Sequence, residues 1–213
     1  MRRLVSDYRC PRCEIRRPLC FCSLIPQINT QTRVIVLMHT AEETLTTNTA
    51  RLTAQAIVSS DLRIYGKQGE CFSTEGFQQA GRTSLLLYPS PHAQELNANY
   101  ARTLSGPVNL IVPDGNWSQT RKFVRREKSL VNIPHVKLPG GPPSEYRLRI
   151  QPRQTGFCTL EAIARSLGVL ESCEIQQQLE TLLRVMVERT LWSRGVIKAA
   201  ECIVAGIPVE AFY

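Results

Sequence analysis

The residues with the clearest chemical potential form one short stretch, in which an apolar run is followed by polar groups. Residues 108–112 predict a buried strand that stops at Pro113, and Asp114 follows it directly. A helical pattern comes next, and the turn between a parallel strand and a helix is where open α/β sheets bind ligands. Asp114 is therefore a candidate catalytic group, and Gly115 permits close backbone approach. In the alternative interpretation, Asp114 or Asn116 only caps the helix.

Four of the eight cysteines lie close together near the start of the chain, in the pattern C-x2-C-x6-C-x-C. Thiolates at such spacing chelate one ion, and two pairs form the tetrahedral sulfur site typical of structural zinc. The predicted ligands are Cys10, Cys13, Cys20 and Cys22. An iron–sulfur cluster or a set of reduced structural cysteines is the alternative. The remaining cysteines are expected to be small buried apolar residues. They are Cys71, Cys158, Cys173 and Cys202.

Positive charge dominates, with 26 lysines and arginines against 18 acidic residues. This balance favours a polyanionic partner, either a nucleic acid or an anionic membrane surface. Cations cluster directly after the candidate site and predict either a solvated helix face or a face that contacts phosphates. They are Arg121, Lys122, Arg125, Arg126 and Lys128. Further arginines surround the cysteines and are expected to offset thiolate charge or to face phosphates. These are Arg9, Arg12, Arg16 and Arg17.

The composition is that of a globular chain, because 43% of its 213 residues are hydrophobic. That length suffices for one α/β domain with a small appendage. No apolar run reaches transmembrane length, and the first residues lack the apolar core of a signal peptide. A cytoplasmic protein with free thiols is therefore expected. We divide the chain into a zinc-binding segment, residues 1–30, and a catalytic α/β domain, residues 31–213.

Apolar runs alternate with helical patterns along the chain. Strands are predicted at residues 32–39, 62–65, 84–88, 108–112 and 135–138, and helices from about residue 48, over 119–126, from 159 and over 174–192. This alternation predicts a parallel sheet with crossover helices. Thr47 or Asn48 is expected to cap the first helix, and Thr159 a later one. His39 and Glu42 form either an acid/base pair or a hydrogen-bonded structural pair.

A glycine- and proline-rich loop at residues 139–143 cannot continue any regular element, and its glycines permit close backbone approach. Hydroxyl groups and two arginines follow it in residues 144–150. This region is a second candidate binding segment.

Together these residues resemble the DTW-domain family over about residues 8–190. The shared order comprises the cysteine pattern, His39-x-x-Glu42, Asn48-Thr49, Tyr88-Pro89, Asp114-Gly115-Asn116-Trp117, Ser144-x-Tyr146-x-x-Arg149 and Thr159-Leu160-Glu161-Ala162. One residue departs from the family pattern Asp-x-Thr-Trp, because Asn116 stands where the family has threonine. Asparagine keeps a donor and an acceptor but places them differently, which bears on how a ligand is positioned.

Members of this family are tRNA-uridine aminocarboxypropyltransferases. The resemblance implies S-adenosyl-L-methionine as co-substrate and transfer of its 3-amino-3-carboxypropyl group to N3 of a tRNA uridine, in the variable loop for the bacterial type. It also implies a SPOUT-like parallel sheet with helices on both faces and a C-terminal trefoil knot near residues 139–162. The zinc is then structural, tRNA is the partner, and no obligate protein partner is implied.

The reaction that the resemblance implies, taken with the charge pattern, leads us to expect roles for residues of this chain. Asp114 is the expected catalytic base, and its competing role is to bind the amino group of S-adenosylmethionine. The expected cofactor-binding residues are Tyr88, Pro89, Asp114, Gly115, Asn116, Gly140, Gly141, Ser144, Thr159, Leu160 and Glu161. The expected tRNA-binding residues are Trp117, Arg121, Lys122, Arg125, Arg126, Arg147, Arg149, Arg12 and Arg16. Trp117 is expected either to stack on the unstacked uridine or to be a buried structural residue.

Two functions of other classes remain open at this point. A SPOUT-type RNA methyltransferase would use the same co-substrate and transfer a different carbon. A non-catalytic zinc-ribbon RNA-binding protein would need no acid at the strand end.

Overall fold

The computed structural model describes residues 8–67, 69, 72–149 and 156–213, and a six-stranded sheet lies at its centre. The strands are β1 (Arg33–His39), β2 (Ser60–Tyr65), β3 (Thr83–Leu87), β4 (Gln94–Glu95), β5 (Val108–Asp114) and β6 (His135–Lys137). Their order across the sheet is β2-β1-β5-β3-β6-β4, and each of these neighbouring pairs is parallel. The predicted parallel sheet is confirmed, and β5 occupies an interior position with strands on both sides.

Helices lie against both faces of this sheet. They are α1 (Thr49–Ala56), α2 (Ala98–Ala101), α3 (Trp117–Arg126), α4 (Thr159–Leu170) and α5 (Cys173–Ser193). Alternate residues of β1 point to opposite faces, so that Val34 and Val36 pack in the core with α1, α4 and α5. Ile35 and Leu37 pack in a second core, against which Phe123 of α3 lies. The near-continuous apolar strands follow from this two-sided burial.

Strand β5 runs one residue beyond Pro113, so the prediction that it stops there is wrong. Pro113 pairs with Leu37 of β1, while β3 pairs no further along β5 than Ile111. Proline has no backbone N–H to donate, but β3 does not pair with β5 at this position. The strand therefore tolerates Pro113 without losing a hydrogen bond to β3. The extension makes Asp114 the last residue of the strand.

Helix α4 begins one residue earlier than the expected cap at Thr159 would require. Cys158 occupies the N-cap position, and Thr159 is the first helical residue. The backbone N–H of Cys158 donates to the carboxylate of Glu161 at 2.9 Å. Glu161 lies in the first turn as predicted, but Thr159 is not the cap, and its hydroxyl is available to another partner.

The cysteine segment packs onto the sheet domain rather than standing apart from it. Leu19, Phe21 and Ile28 belong to the same core as α4 and α5. The guanidinium of Arg189, on α5, donates to the backbone oxygens of Leu19 at 3.2 Å and Cys20 at 2.7 Å. These bonds link positions that are far apart in sequence and hold the segment against α5.

Of the scattered cysteines, Cys202 is buried as expected, but Cys173 is exposed at the first turn of α5, which corrects that prediction. Cys71 lies outside the described residues. The sequence of α5 has an apolar stripe that predicts either core packing or a subunit contact, and Leu179, Leu182 and Leu183 of this stripe are buried in the core. Within the described part of the chain, no helix combines the length and apolar character needed to span a membrane.

Candidate functional site

Asp114 lies at the carboxyl end of β5 with only 6% of its surface exposed. The side-chain amide of Asn48 donates to Asp114 Oδ2 at 2.9 Å, and the hydroxyl of Thr159 donates to Oδ1. Each carboxylate oxygen therefore has a donor from the start of a different helix, α1 or α4. A strand end and two helix N-termini meet at one acidic group.

The cap of α3 is Asn116 and not Asp114. Asn116 Oδ1 accepts from the backbone N–H of Gln119 at 2.9 Å, and the Gln119 side chain accepts from the N–H of Asn116 at 2.8 Å. This reciprocal capping box satisfies two of the free N–H groups of the first turn. The capping interpretation thus applies to Asn116, and Asp114 is left for another role.

Gly115 makes the sharp passage from β5 to α3 possible. Its φ of +154° is rarely adopted by residues with a side chain. An added Cβ would lie 3.2 Å from His39 Cβ and 3.3 Å from the hydroxyl of Tyr65. A larger residue here would push the turn away from Asp114.

Burial raises the pKa of Asp114 above its ordinary value, since water no longer stabilises the charged form. The hydrogen bonds from Thr159 and Asn48 oppose that rise, because both favour the carboxylate. The nearby charge of Glu42 raises the pKa further, and that of Arg149 lowers it. The net shift is upward, and an upward shift makes a carboxylate a stronger base.

Glu42 is buried and pairs with Arg149, whose guanidinium donates to Glu42 Oε2 at 3.0 Å. Arg149 also contacts the hydroxyl of Thr47 at 3.4 Å. His39 is not paired with Glu42, because His39 Nδ1 accepts from the backbone N–H of Ala41 at 3.0 Å. The geometry supports the structural interpretation of the histidine over the acid/base pair.

Glu161 anchors the segment that follows the glycine-proline loop. One of its oxygens accepts from the Ser144 hydroxyl at 2.6 Å, and the other from the backbone N–H of Glu145 at 2.7 Å. Tyr146 then donates its hydroxyl to the backbone oxygen of Thr47 at 2.9 Å. Residues 144–146 are therefore held against the starts of α1 and α4, beside Asp114.

The other residues expected to bind S-adenosylmethionine lie around the same sheet edge. Tyr88 follows β3, and its ring meets that of His135 edge to face at 6.0 Å. Pro89, Gly140 and Gly141 are exposed. Leu160 is fully buried and contributes to the core instead of to a surface. Parallel β3, β5 and β6 end on this side, so the fold brings these segments to one edge.

Helix α3 presents its cations outward, while Phe123 and Val124 pack against the second core. The exposed cations are Arg121, Lys122, Arg125 and Arg126. Trp117 starts the helix and is partly buried. Arg12, Arg16 and Arg147 are exposed, whereas Arg149 is engaged with Glu42. The basic face therefore begins directly at the turn that carries Asp114.

The four predicted metal ligands converge on one point. Their sulfur atoms all lie within 4.8 Å of one another, with 3.5 Å from Cys10 to both Cys20 and Cys22 and 3.7 Å from Cys13 to Cys20. Four thiolates at zinc–sulfur distances of about 2.3 Å on a tetrahedron would stand about 3.8 Å apart. The cluster has the donor set and the spacing of a tetrahedral metal site.

Asn48 contacts Asp114, although the sequence predicted only that it would cap a helix. An N-cap asparagine uses its oxygen for the helix, and only the tertiary fold shows what its amide N–H groups face. Tyr65 was likewise assigned only to a strand, yet its hydroxyl lies 3.5 Å from the backbone oxygen of Asp114.

The chain is similar to several curated proteins of one kind. It is 31% identical over 183 residues to tRNA-uridine aminocarboxypropyltransferase 2 of Mus musculus, covering 82% of this chain and 60% of the relative. The corresponding protein of Macaca fascicularis is 29% identical over 182 residues with the same coverage. This chain thus spans about 60% of the length of those relatives. tRNA-uridine aminocarboxypropyltransferase A of Arabidopsis thaliana is 27% identical, with 84% and 79% of the two chains covered.

A solved structure shares the fold. The SAM-dependent rRNA:acp-transferase of Vulcanisaeta distributa superposes with a TM-score of 0.51 at 13% identity, covering 80% of each chain. The family model that describes the DTW domain matches residues 7–191, which include the cysteine cluster, the Asp114 turn and the start of α4. A match over most of the sequence shows that the chain belongs to the DTW-domain family.

Proposed function

We propose that this protein is a tRNA-modifying enzyme that transfers the 3-amino-3-carboxypropyl group of S-adenosylmethionine to N3 of a tRNA uridine, in the variable loop. The observation that carries the proposal is the family match across residues 7–191, centred on a buried carboxylate at a strand end. The relatives named tRNA-uridine aminocarboxypropyltransferase support the same reaction class.

The chemistry requires one proton to leave uridine N3. In the proposed reaction N3 bonds to the propyl carbon next to sulfur, that carbon–sulfur bond breaks, and 5′-methylthioadenosine leaves with the bonding electrons. Asp114 accepts the N3 proton as general base, because burial raises its pKa towards the working range. Its competing role is to bind the ammonium group of the co-substrate, which would need the same charge.

The remaining polar groups of the strand edge would hold S-adenosylmethionine. Backbone groups next to Tyr88, Pro89, Gly140 and Gly141 would contact the adenosine and methionine parts, with Gly115, Asn116 and Thr159 near the transferred group. Glu161 and Leu160 support this site from behind, since the Glu161 carboxylate holds Ser144 in place. Each of these contacts is a proposal, and isothermal titration of S-adenosylmethionine into alanine variants would test it.

The decisive experiment is mass spectrometry of nucleosides from unmodified tRNA incubated with the purified protein and S-adenosylmethionine. The expected product is a uridine carrying an aminocarboxypropyl group, and none should form with Asp114→Ala. A uridine that gains only a methyl group would show a SPOUT-type methyltransferase. Binding of tRNA without any product would support the non-catalytic RNA-binding alternative.

We further propose that tRNA lies along α3 and reaches the cysteine segment. The exposed cations of α3 would neutralise backbone phosphates, and Arg147, Arg149, Arg12 and Arg16 would extend the contact. Trp117 stands at the start of α3, between this basic face and Asp114, where an unstacked uridine would meet it. A tRNA substrate and free thiols are consistent with a cytoplasmic location.

Zinc is the proposed metal of the four-cysteine cluster, with a structural role. The sulfur spacing supports a tetrahedral ion, and Arg189 of α5 binds the backbone next to one of the ligands, at Cys20. The ion would fix residues 1–30 against the catalytic domain, residues 31–213, and take no part in the transfer. Elemental analysis of protein purified without chelator should find about one zinc per chain.

A trefoil knot is the remaining structural proposal. Membership of the DTW-domain family supports it, as do the bonds that hold residues 144–146 against the starts of α1 and α4. Residues 150–155 fall outside the described part of the chain. An experimental trace through residues 139–162 would test the knot.

A further inference from the structure

Asn48 serves two partners at once. Its Oδ1 accepts from the backbone N–H of Arg51 at 3.1 Å and caps α1, while its Nδ2 donates to Asp114 Oδ2 at 2.9 Å. The residue is 7% exposed. Because a helix N–H needs an acceptor, the amide oxygen must face Arg51, and the NH2 group must therefore face the carboxylate. The helix cap thus determines which end of the amide reaches Asp114.

The second donor comes from the other helix. The Thr159 hydroxyl donates to Asp114 Oδ1 at the first residue of α4. A carboxylate accepts about four hydrogen bonds, so each oxygen retains capacity for a further donor after these two bonds. The carboxylate of Asp114 is therefore held in one orientation and keeps lone pairs that can accept a proton.

We propose that Asn48 is a positioning residue for the transfer reaction, and that its amide keeps the buried carboxylate of Asp114 ionised and aimed at the substrate. The inference deepens the proposed function and rests on it. Burial opposes the charged form of Asp114, and a donor that is itself buried restores part of the stabilisation that water would give.

Charged and titratable groups also surround Asp114, and each of them affects several contacts or the charge of the site. Glu42 opposes the charge of Asp114, and Arg149 favours it, but these two are paired with each other at 3.0 Å. The Tyr65 hydroxyl contacts the backbone oxygen of Asp114, and His39 lies beside Gly115. Removing any of these groups would change several contacts. Asn48 is neutral, so its donor can be removed without altering the charge of the site.

Two substitutions at Asn48 separate orientation from folding. Serine and aspartate are both strong N-caps, so Asn48→Ser and Asn48→Asp should both retain α1. The melting temperature at neutral pH should stay near the wild-type value in Asn48→Ser and fall in Asn48→Asp, because the latter buries a second carboxylate beside Asp114. Serine is too short to reach Asp114 as the amide does, and aspartate adds a like charge. At acidic pH the single-turnover rate should fall as Asp114 is protonated, and this fall is the acidic limb of the pH profile. In Asn48→Ser the acidic limb should lie roughly one pH unit higher, so that the rate at a given acidic pH is about tenfold lower than in the wild type. The shift should be larger in Asn48→Asp.

Asn97 provides a matched control elsewhere in the α/β domain. Asn97 caps α2 by accepting from the N–H of Tyr100 at 3.0 Å, and its amide donates to Glu95 at 3.3 Å. It repeats the two bonds of Asn48 but stands at β4, three strands from β5. Asn97→Ser and Asn97→Asp should leave the pH profile of the transfer unchanged. If the acidic limb of the rate lies at the same pH in the wild type and in both Asn48 variants, the proposal is wrong.

A second measurement makes the inference independent of turnover. Titration of the Asp114 carboxyl carbon by nuclear magnetic resonance should give a higher pKa in Asn48→Ser than in the wild type. If the wild type forms no aminocarboxypropyl product, the proposed function fails, yet this titration still reports on Asn48. If product forms but the titration is identical in both proteins, the role of Asn48 fails alone.

Discussion

Asp114 combines burial, two fixed donors and a position at a strand end, and these three features define its expected behaviour. A surface aspartate is a weak base near neutral pH because its pKa is low. The pKa of Asp114 is raised by burial, and the bonds from Asn48 and Thr159 limit that rise. The residue is thus suited to accept a proton while remaining charged before the substrate arrives.

Asp114→Asn keeps the shape of the residue and removes its charge. If Asp114 is the general base, the single-turnover rate should fall by roughly two to four orders of magnitude, which is the usual contribution of such a base. Binding of S-adenosylmethionine should be unchanged, whereas a clamp on the ammonium group would lose affinity by about 1.5–3 kcal/mol. Calorimetry and rapid-quench assays on this variant distinguish the two roles. Wild-type rate and affinity together would contradict both.

The acid side of the wild-type pH profile provides a separate check. A base must be deprotonated, so the rate should decline as pH falls through the raised pKa of Asp114. The limb should therefore lie above the range of an ordinary aspartate, and it should be absent from the residual rate of Asp114→Asn. Single-turnover rates across the acidic range measure it. A limb at the pH of a surface aspartate would argue against a buried base.

Glu161 is a residue whose role is to support others. Its two oxygens accept from the Ser144 hydroxyl, the N–H of Glu145 and the N–H of Cys158. Glu161→Gln replaces one acceptor with a donor, and the lost bonds to a charged group should lower the free energy of unfolding by about 1.5–3 kcal/mol. Urea denaturation measures this loss. Glu174→Gln, on the exposed first turn of α5, is the control and should cost little.

Helix α3 carries the exposed cations and begins directly after the turn at Asp114 and Gly115, where Asn116 forms its capping box. The basic face is therefore connected to Asp114 by a short, fixed turn. Its apolar side is anchored in the second core, where the ring of Phe123 stacks on that of Tyr65 at 3.9 Å. The outward cations therefore have a fixed direction relative to Asp114. In the proposed function, these cations would bind RNA phosphates at a fixed distance from Asp114.

Removing two cations from α3 should weaken tRNA binding in a salt-dependent manner. For Arg125→Ala with Arg126→Ala, the slope of log affinity against log salt should flatten by roughly one to two units, one for each lost phosphate contact. Titrations of tRNA at several salt concentrations measure the slope. Arg102→Ala removes an exposed cation at the C-terminal end of α2, away from α3, and should leave the slope unchanged. If the double variant retains the wild-type slope, the α3 face is only solvated.

Across the whole molecule, the cysteine segment and the sheet domain share one core. Arg189 reaches from α5 to the backbone oxygens of Leu19 and Cys20 and also contacts the backbone oxygen of Gly206 at 3.3 Å. The side chain is buried, and these carbonyl groups satisfy its charged N–H groups in place of water. Metal binding at the cysteines and folding of the domain should therefore be coupled.

Arg189→Met should remove these bonds while keeping the length of the side chain. The free energy of unfolding of the metal-loaded protein should fall by about 2–3 kcal/mol, because buried carbonyl groups lose a charged donor. Zinc should also pass to a chelator faster than from the wild type. Arg184→Met is the control on the same helix, since its ion pair with Glu145 is largely exposed and should contribute less than about 1 kcal/mol. Equal losses in the two variants would contradict the coupling.

The sequence by itself determined the parallel α/β class, the strand that leads to Asp114, the four clustered cysteines and the basic helix. These features are local, because apolar runs, ligand spacing and charge periodicity are set by neighbouring residues. Only the tertiary structure decided how far β5 runs past Pro113 and that Asn48 and Thr159 converge on Asp114. Those contacts join residues 45 to 66 positions apart. No local pattern encodes them, since they arise where a strand end meets the starts of two helices packed on one face of the sheet.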